Sequence, residues 1–565
     1  MPGRHAAEVP PRSRRRRVIL ALVLLVALVV PAAVYARDRG FSLQALMEPE
    51  PCSGEVRIEV AAAPEIVEPL RAVTERMAKE RVPVDGRCVM FDITAATPRE
   101  IFTRLSSEAG DVPDLWIPDT WEWVSRTGIP HDRLLSLSPS VAATPLVLAT
   151  TQAKAEELRD VKDWPTLATA GRMALADAER SGPALSALLA IRRSITDDAE
   201  AARRRLGTII LQLIKERVDS LEVELDQARR DGLRRGVPAT EQQVVAFRKE
   251  HPTADVVPVV PSGGTVLLEY PLVSVLHQKS NRGRIIEAGA ALMRYVDAPA
   301  GRAAFRKAGF RDYRDQTPPD AAGAVGEVTV LPPVSLDDAD DVLRSWAAMS
   351  LDTRLLTVVD VSGSMAVAAG DRSRIELARD AAKTALTYFP DKSQVGLWEF
   401  AENRDGRRPW RELSAIKPLT AEHRAELNKN LDALPRRTGG GTGLYDTFLA
   451  AYRVAQNSYD PTHVNSLVLL TDSCSGAARP SPACANEDTP GISLNQLINT
   501  LQLEADPARP IAVILVGIGP QADIAALERI AKVTSGRAYR AKDPQDMESI
   551  IIDSLLRRQC GAACE

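Results

Sequence analysis

From residue 53 onward, short apolar runs alternate with amphipathic stretches along the chain. "EVRIEVAAAPEIVEPLRAVTERMAKE" opens with apolar residues at every second position, which predicts a strand. It breaks at Ala63-Pro64 and continues with the 3.6-residue period of a helix. "RCVMFDITAATPREIFTRLSSEAG" repeats that order, and "PDLWIPDTWEWVSRTG" gives a short strand before a Trp-rich loop. "ATPLVLATTQAKAEEL" and "GRMALADAERSGPALSALLAIRRS" predict a second strand-and-helix lobe, followed by a charged helical region over about 195–235. "ADVVPVVPSGGTVLLEYPLVSVL" adds two strands, and "AGAALMRYVDAPAGRAAFRKAGF" a helix pair. Alternation of this kind predicts parallel sheets with helical crossovers.

A Pro-, Ala- and Asp-rich stretch, 316–351, predicts a linker ending in a short helix. Beyond it, 352–557 alternates regularly again, with strands at Leu355–Val359, "SQVGLWEFA", "VNSLVLLTDS" and "PIAVILVGIG" and an edge strand at "RELSAIKPL". Helices are predicted between them, which gives a doubly wound α/β domain. Binding groups in such sheets collect beyond the carboxyl ends of the strands. Three of those ends carry oxygen ligands: Asp360, Ser362 and Ser364 in "TVVDVSGSM", Thr442 in "GGGTGLYD", and Asp472 in "LLTDS". Alternate spacing directs Asp360, Ser362 and Ser364 to one side, and Gly363 allows a tight turn between the serines. Two carboxylates with several hydroxyls suit Mg2+ or Mn2+.

This D-x-S-x-S run, with the threonine and second aspartate in order, resembles the von Willebrand factor A (VWA) domain and its metal-ion-dependent adhesion site (MIDAS). The resemblance implies that the serines and threonine bind the ion directly or through water. It assigns the aspartates mainly water-mediated contacts, with an acidic side chain of a partner completing the shell. A long insertion, "SCSGAARPSPACANEDTPGI", follows Asp472 and leaves partner choice open.

The region 53–315 resembles the type 2 solute-binding proteins of bacterial importers, in the opening strand with "AAAPEI", in "VPDLWIPDTWEWV", in "ADAERSGPALSALLA" and in "YPLVSVL". That implies two α/β lobes closing on a small ligand, held partly by backbone N–H groups at helix N-termini. Ala63, Thr97, Ser181 and Gly182 occupy strand-to-helix turns where this could occur, though the same positions serve as helix caps. Trp116, with Trp121 and Trp123, is a candidate for the cleft wall or for lobe packing.

The N-terminus changes the setting. Residues 1–17 form a basic tail, and Val18 to Ala36 is an apolar run just long enough to span a bilayer. We read it as a retained signal anchor; a signal peptide cleaved after Ala36 is the alternative. Either exports everything after about residue 40, with 37–52 as a tether and 558–565 as a Cys-containing tail. A net charge of −4 gives no reason to expect nucleic acid. Six cysteines suit an oxidising compartment. Cys52 and Cys88 flank neighbouring strand-like runs, Cys474 and Cys484 bracket a short loop, and Cys560 and Cys564 close the chain. Local pairing is the simplest of the 15 connectivities, which remain open.

The expected protein is thus α/β throughout: transmembrane anchor, two-lobed type 2 periplasmic-binding-like domain, then a doubly wound Rossmann-like VWA domain. The whole-chain order resembles bacterial membrane proteins that combine substrate-binding and VWA domains. The expected function is adhesion or scaffolding at the cell envelope, through a divalent ion and an acidic protein partner. The alternative is a solute receptor associated with an importer. None of the six histidines adjoins a nucleophile motif, so no enzyme is expected.

Overall fold

The computed structural model describes residues 52–553 apart from 108–111, 131, 170, 277–280, 473–490, 521, 542–545, 547–548 and 551. The expected anchor at 18–36 and Cys474, Cys484, Cys560 and Cys564 lie outside the described residues. Among the described residues no helix is long and apolar enough to cross a membrane.

Lobe 1 is built on six strands: β1 (Glu55–Ala62), β2 (Pro83–Val84), β3 (Arg87–Ala95), β4 (Leu115–Ile117), β5 (Leu134–Ser138) and, returning late, β10 (Leu272–Val275). Their order is β2-β3-β1-β4-β10-β5. β1 buries alternate residues and then Val60–Ala62 in succession, so its far end enters the core on both faces. Helices α1 (Val67–Lys79) and α2 (Pro98–Ser106) follow β1 and β3. Cys52 and Cys88 form a disulfide beside the β1–β3 pair, with Cα atoms 5.0 Å apart.

Lobe 2 centres on the fully buried β6 (Ala143–Thr150), flanked by β7 (Val237–Thr240) and β8 (Val257–Val259), with β9 (Leu267–Glu269) also on β6. Its helices include α3 (Gly182–Ser194), α4 (Ala199–Lys215) and α5 (Leu221–Asp231). The charged region 195–235 therefore divides into two amphipathic helices, which bury Leu206, Ile210 and Leu213 on one and Leu221 and Leu225 on the other. The chain crosses between the lobes three times, the last at Phe310–Arg311, and the first two crossings are bonded to each other: Val141 donates to the Tyr270 carbonyl at 2.8 Å.

Residues 316–335 are fastened to lobe 2 rather than trailing from it. Arg311, 1% exposed, forks onto Glu241, 0% exposed, at 2.7 and 2.8 Å. The same guanidinium donates to the Val325 and Gly326 carbonyls, and Glu241 accepts from the Val325 amide. Helix α6 (Leu336–Ser350) then packs Val342, Leu343 and Trp346 into a buried cluster with Leu185, Leu188 and Leu206 of lobe 2. That cluster continues to Val359 and Met365, so an apolar core runs from lobe 2 into the last domain. Arg192 pairs with Asp338 at 2.7 Å across the same junction.

The last domain holds β11 (Thr353–Asp360), the small hairpin β12–β13 (Ala368–Ala369, Arg372–Ser373), β14 (Gln394–Asp405), β15 (Arg408–Pro418), β16 (Val464–Thr471), β17 (Ala512–Ile518) and β18 (Arg537–Ala541). Helices α7 (Arg374–Tyr388), α8 (Ala421–Ala433), α9 (Leu444–Asn457), α10 (Leu494–Glu504) and α11 (Ile524–Val533) intervene. The sheet order is β15-β14-β11-β16-β17-β18, parallel except for the antiparallel edge β15. From β11 the chain first moves outward to β14 and β15, then returns to β11's other side with β16. The winding direction thus reverses between β11 and β16, which is where such sheets open a binding crevice.

Candidate functional site

Asp360 ends β11 and Asp472 follows β16, on adjacent parallel strands at that reversal. Because Val359 pairs with Leu470, Asp360 comes level with Thr471, whose hydroxyl donates to Asp360 Oδ2 at 2.5 Å. The other oxygen accepts from the Ser362 amide at 2.8 Å, which bends the chain out of the strand. The two serine hydroxyls then lie 3.1 Å apart, and Ser364 Oγ donates to Asp472 Oδ1 at 2.8 Å. Arg374, at the start of α7, holds Asp472 Oδ2 at 2.6 Å.

The third loop comes in through its backbone. Gly363 donates to the Gly440 carbonyl at 3.0 Å, and Gly440 takes φ +79°, which a side chain would strain. Thr442 lies two residues on, 6% exposed, and its Oγ1 is buried with no hydrogen-bond partner among the described residues. Both aspartates are 0% exposed. Burial, and after it the nearby Asp472 charge, push the Asp360 carboxyl up to about 7. Buried carboxylates that repel, serine oxygens in mutual contact and an unsatisfied threonine hydroxyl are a donor set that a hard divalent cation would complete. The residues present fit such an ion.

A second feature lies between the lobes, a cavity of about 1220 Å³. Thr97, Ser181 and Gly182 are on its wall. Thr97 and Ser181 also cap helices, accepting from the Glu100 and Ala184 amides. Four residues expected at the cleft, Ala63, Trp116, Trp121 and Trp123, are not on that wall, and the Trp121 indole donates to the Pro139 carbonyl. Trp116, 1% exposed on β4, packs into a core with Ile101 and Trp123, because strand alternation turns it away from the cavity. Ala63 is 1% exposed, and its amide donates to the Ile117 carbonyl, so its backbone is already engaged within lobe 1.

Two regions of the chain match families of their own. Residues 58–311 match the family described as bacterial extracellular solute-binding protein, and residues 355–475 the von Willebrand factor type A domain. Two proteins of Mycobacterium tuberculosis, uncharacterized protein MT1884 and uncharacterized protein Rv1836c, are 25% identical over 530 residues, covering 86% of this chain and 74% of each relative. Among solved structures, von Willebrand factor type A from Catenulispora acidiphila is 17% identical with a TM-score of 0.28. It covers 37% of this chain, which spans 43% of that protein's length. Iron-bound HitA from Pseudomonas aeruginosa is 13% identical with a TM-score of 0.40, covering 52% of this chain and 98% of its own.

Within the VWA domain, the sequence pattern did not single out Arg374 or Thr471. Neither belongs to a spaced motif; only the pairing of β11 with β16 and the docking of α7 bring them to the aspartates. In the solute-binding domain it likewise passed over Glu65 and Asp119. Glu65 lies three residues past β1 and Asp119 two past β4, so their place beyond two strand ends was a usable signal.

Proposed function

We propose that this chain is a cell-envelope adhesion or scaffolding protein, anchored by its N-terminal apolar run and acting by binding rather than catalysis. The VWA domain would hold Mg2+ or Mn2+ with Ser362, Ser364 and Thr442, backed by Asp360 and Asp472. When bound, the ion presents positive charge to an acidic side chain of an envelope or extracellular protein. What carries this reading is Thr442: a buried hydroxyl without a partner among the described residues, on the loop bonded to the Ser362–Ser364 turn, whose serine and amide contact two buried carboxylates.

The test is capture of envelope proteins by the full chain with Mg2+ or Mn2+, with EDTA, and with Asp360→Ala. A partner retained only with metal and intact Asp360 supports the reading. Capture that persists in EDTA sinks it.

The interlobe cavity favours a second role, as a receptor for a small solute. Its volume exceeds the few hundred cubic ångströms that a typical small ligand requires. This role is compatible with the first: the cavity is bordered also by Ser350, Asp352 and Pro390, Asp391 and Lys392, but none of the proposed ion ligands is on its wall.

A further inference from the structure

The wall of the interlobe cavity carries nine acidic side chains against four basic ones, Arg99, Arg180, Arg217 and Lys392, and its acids are unequally neutralised. Arg217 lies 3.2 Å from Asp177 and Arg99 lies 3.9 Å from Glu179, so two guanidinium groups of the wall are matched locally. Glu65, Asp119 and Glu222 share that wall and make no ion pair among the described residues.

Asp119 is the most constrained of the three. It follows β4 in lobe 1, yet its carboxylate lies against the first residue of α3 in lobe 2. A Cβ added to Gly182 would stand 1.9 Å from Asp119 Oδ2, so only glycine admits this approach. The N-terminus of α3, which would attract an anion, is therefore already covered by a carboxylate of the chain itself. Asp119 is 5% exposed, and its other oxygen, Oδ1, is buried with no close hydrogen-bond partner among the described residues, although the Trp123 indole is near enough to this carboxyl to favour its charged form. A buried acceptor left unsatisfied is costly, and a ligand that donates would relieve it.

The surroundings push the same way. Burial, and then the charges of Glu65 and Glu122, hold the Asp119 carboxyl well above its ordinary range. Burial, with a smaller push from Glu222 across the cleft, raises Glu65 although Tyr270 donates to it at 2.8 Å. A positive charge between these groups would reverse each effect.

We propose that the cleft selects a small organic cation carrying a protonated amine, with Asp119 and Glu65 accepting from it on lobe 1 and Glu222 on lobe 2. This rests on the reading of the cleft as a solute site. Two observations choose the amine. The cavity, about 1220 Å³, is far larger than a single ion. Among the described residues no aromatic side chain is on the wall, so a cage of the kind that recognises quaternary ammonium groups is not formed there. N–H donors, by contrast, make charge-assisted bonds with carboxylates.

Calorimetric titration of the full chain with ethanolamine, putrescine and spermidine, and separately with tetramethylammonium, Mn2+ and citrate, tests this. Saturable binding of at least one amine is expected, weakened tenfold or more in Asp119→Asn and in Glu65→Gln, with unchanged circular dichroism. Citrate, Mn2+ or tetramethylammonium binding that Asp119→Asn alters, without amine binding, would overturn the amine while keeping the solute site. Amine binding indifferent to both variants would also overturn it, since the ligand would then sit elsewhere. Absence of binding by all five organic probes, with any Mn2+ binding unaltered by Asp119→Asn, would overturn the solute reading itself.

Discussion

Arg374 Nη1 donates to Asp472 Oδ2 at 2.6 Å, a buried bond from the first residue of α7 to the residue after β16. Asp472 thus offers one oxygen to a cation of the fold and the other to Ser364. Removing one partner of a buried pair typically costs about 3–5 kcal/mol. Arg374→Met should therefore lower the melting midpoint of the VWA domain by roughly 6–20 °C in EDTA, at about 2–4 °C per kcal/mol for a domain of this size. Added Mg2+ should recover more of the loss than it adds to the unaltered chain. Differential scanning fluorimetry with and without metal reads both.

Thr442 makes the opposite prediction. Thr442→Val removes an unsatisfied buried hydroxyl while keeping the side chain's shape. The metal-free protein should become more stable by about 1 kcal/mol. Mn2+ affinity should fall at least tenfold, measured by titration calorimetry. Unchanged affinity would remove Thr442 from the ligand set.

The Asp360 carboxyl, pushed up to about 7, sets a pH dependence. Its folded pKa lies above the unfolded value of 3.8, so without metal the folded state holds the proton more tightly. This contribution favours folding in the acid range and is lost as pH rises from about 4 through about 7. A cation must displace that proton, so divalent-ion affinity should instead increase with pH through about 7, by up to about tenfold per unit below it. Affinities measured at about pH 6 and pH 8 decide; equal values would refute the coupling.

Glu241 and Arg311 tie residues 316–335 to lobe 2. Glu241→Gln leaves the buried guanidinium without its counter-charge and should destabilise the solute-binding domain by about 3–5 kcal/mol. Limited proteolysis should then cut within 316–335 well before the unaltered chain is cut there.

The Cys52–Cys88 bridge spans 36 residues of sequence. Chain-entropy reasoning gives such a loop about 4 kcal/mol of stabilisation. Cys88→Ser, or reduction, should lower the midpoint of the solute-binding domain and leave the VWA domain's midpoint within a degree or two.

Much of this organisation was written locally. The period-2 run at Glu55–Ala62, the helix after it, and the repeated order beyond follow from side-chain alternation, which a linear reading registers. The Asp360, Ser362 and Ser364 spacing is equally local. Ala63 and Trp116 were misplaced because neither position shows which face of lobe 1 it will present.

What the sequence by itself determined is which residues are competent: the oxygen ligands at three strand ends, the cysteines beside β1 and β3, the caps at Thr97 and Ser181. Tertiary structure decided which of them meet. Placing β11 beside β16 joins Thr471 to Asp360 across 111 residues of chain, and docking α7 joins Arg374 to Asp472 across 98. Closure of the two lobes sets Asp119 against Gly182. Such pairs depend on strand order and packing between distant segments, and hydrophobic periodicity carries no information about either.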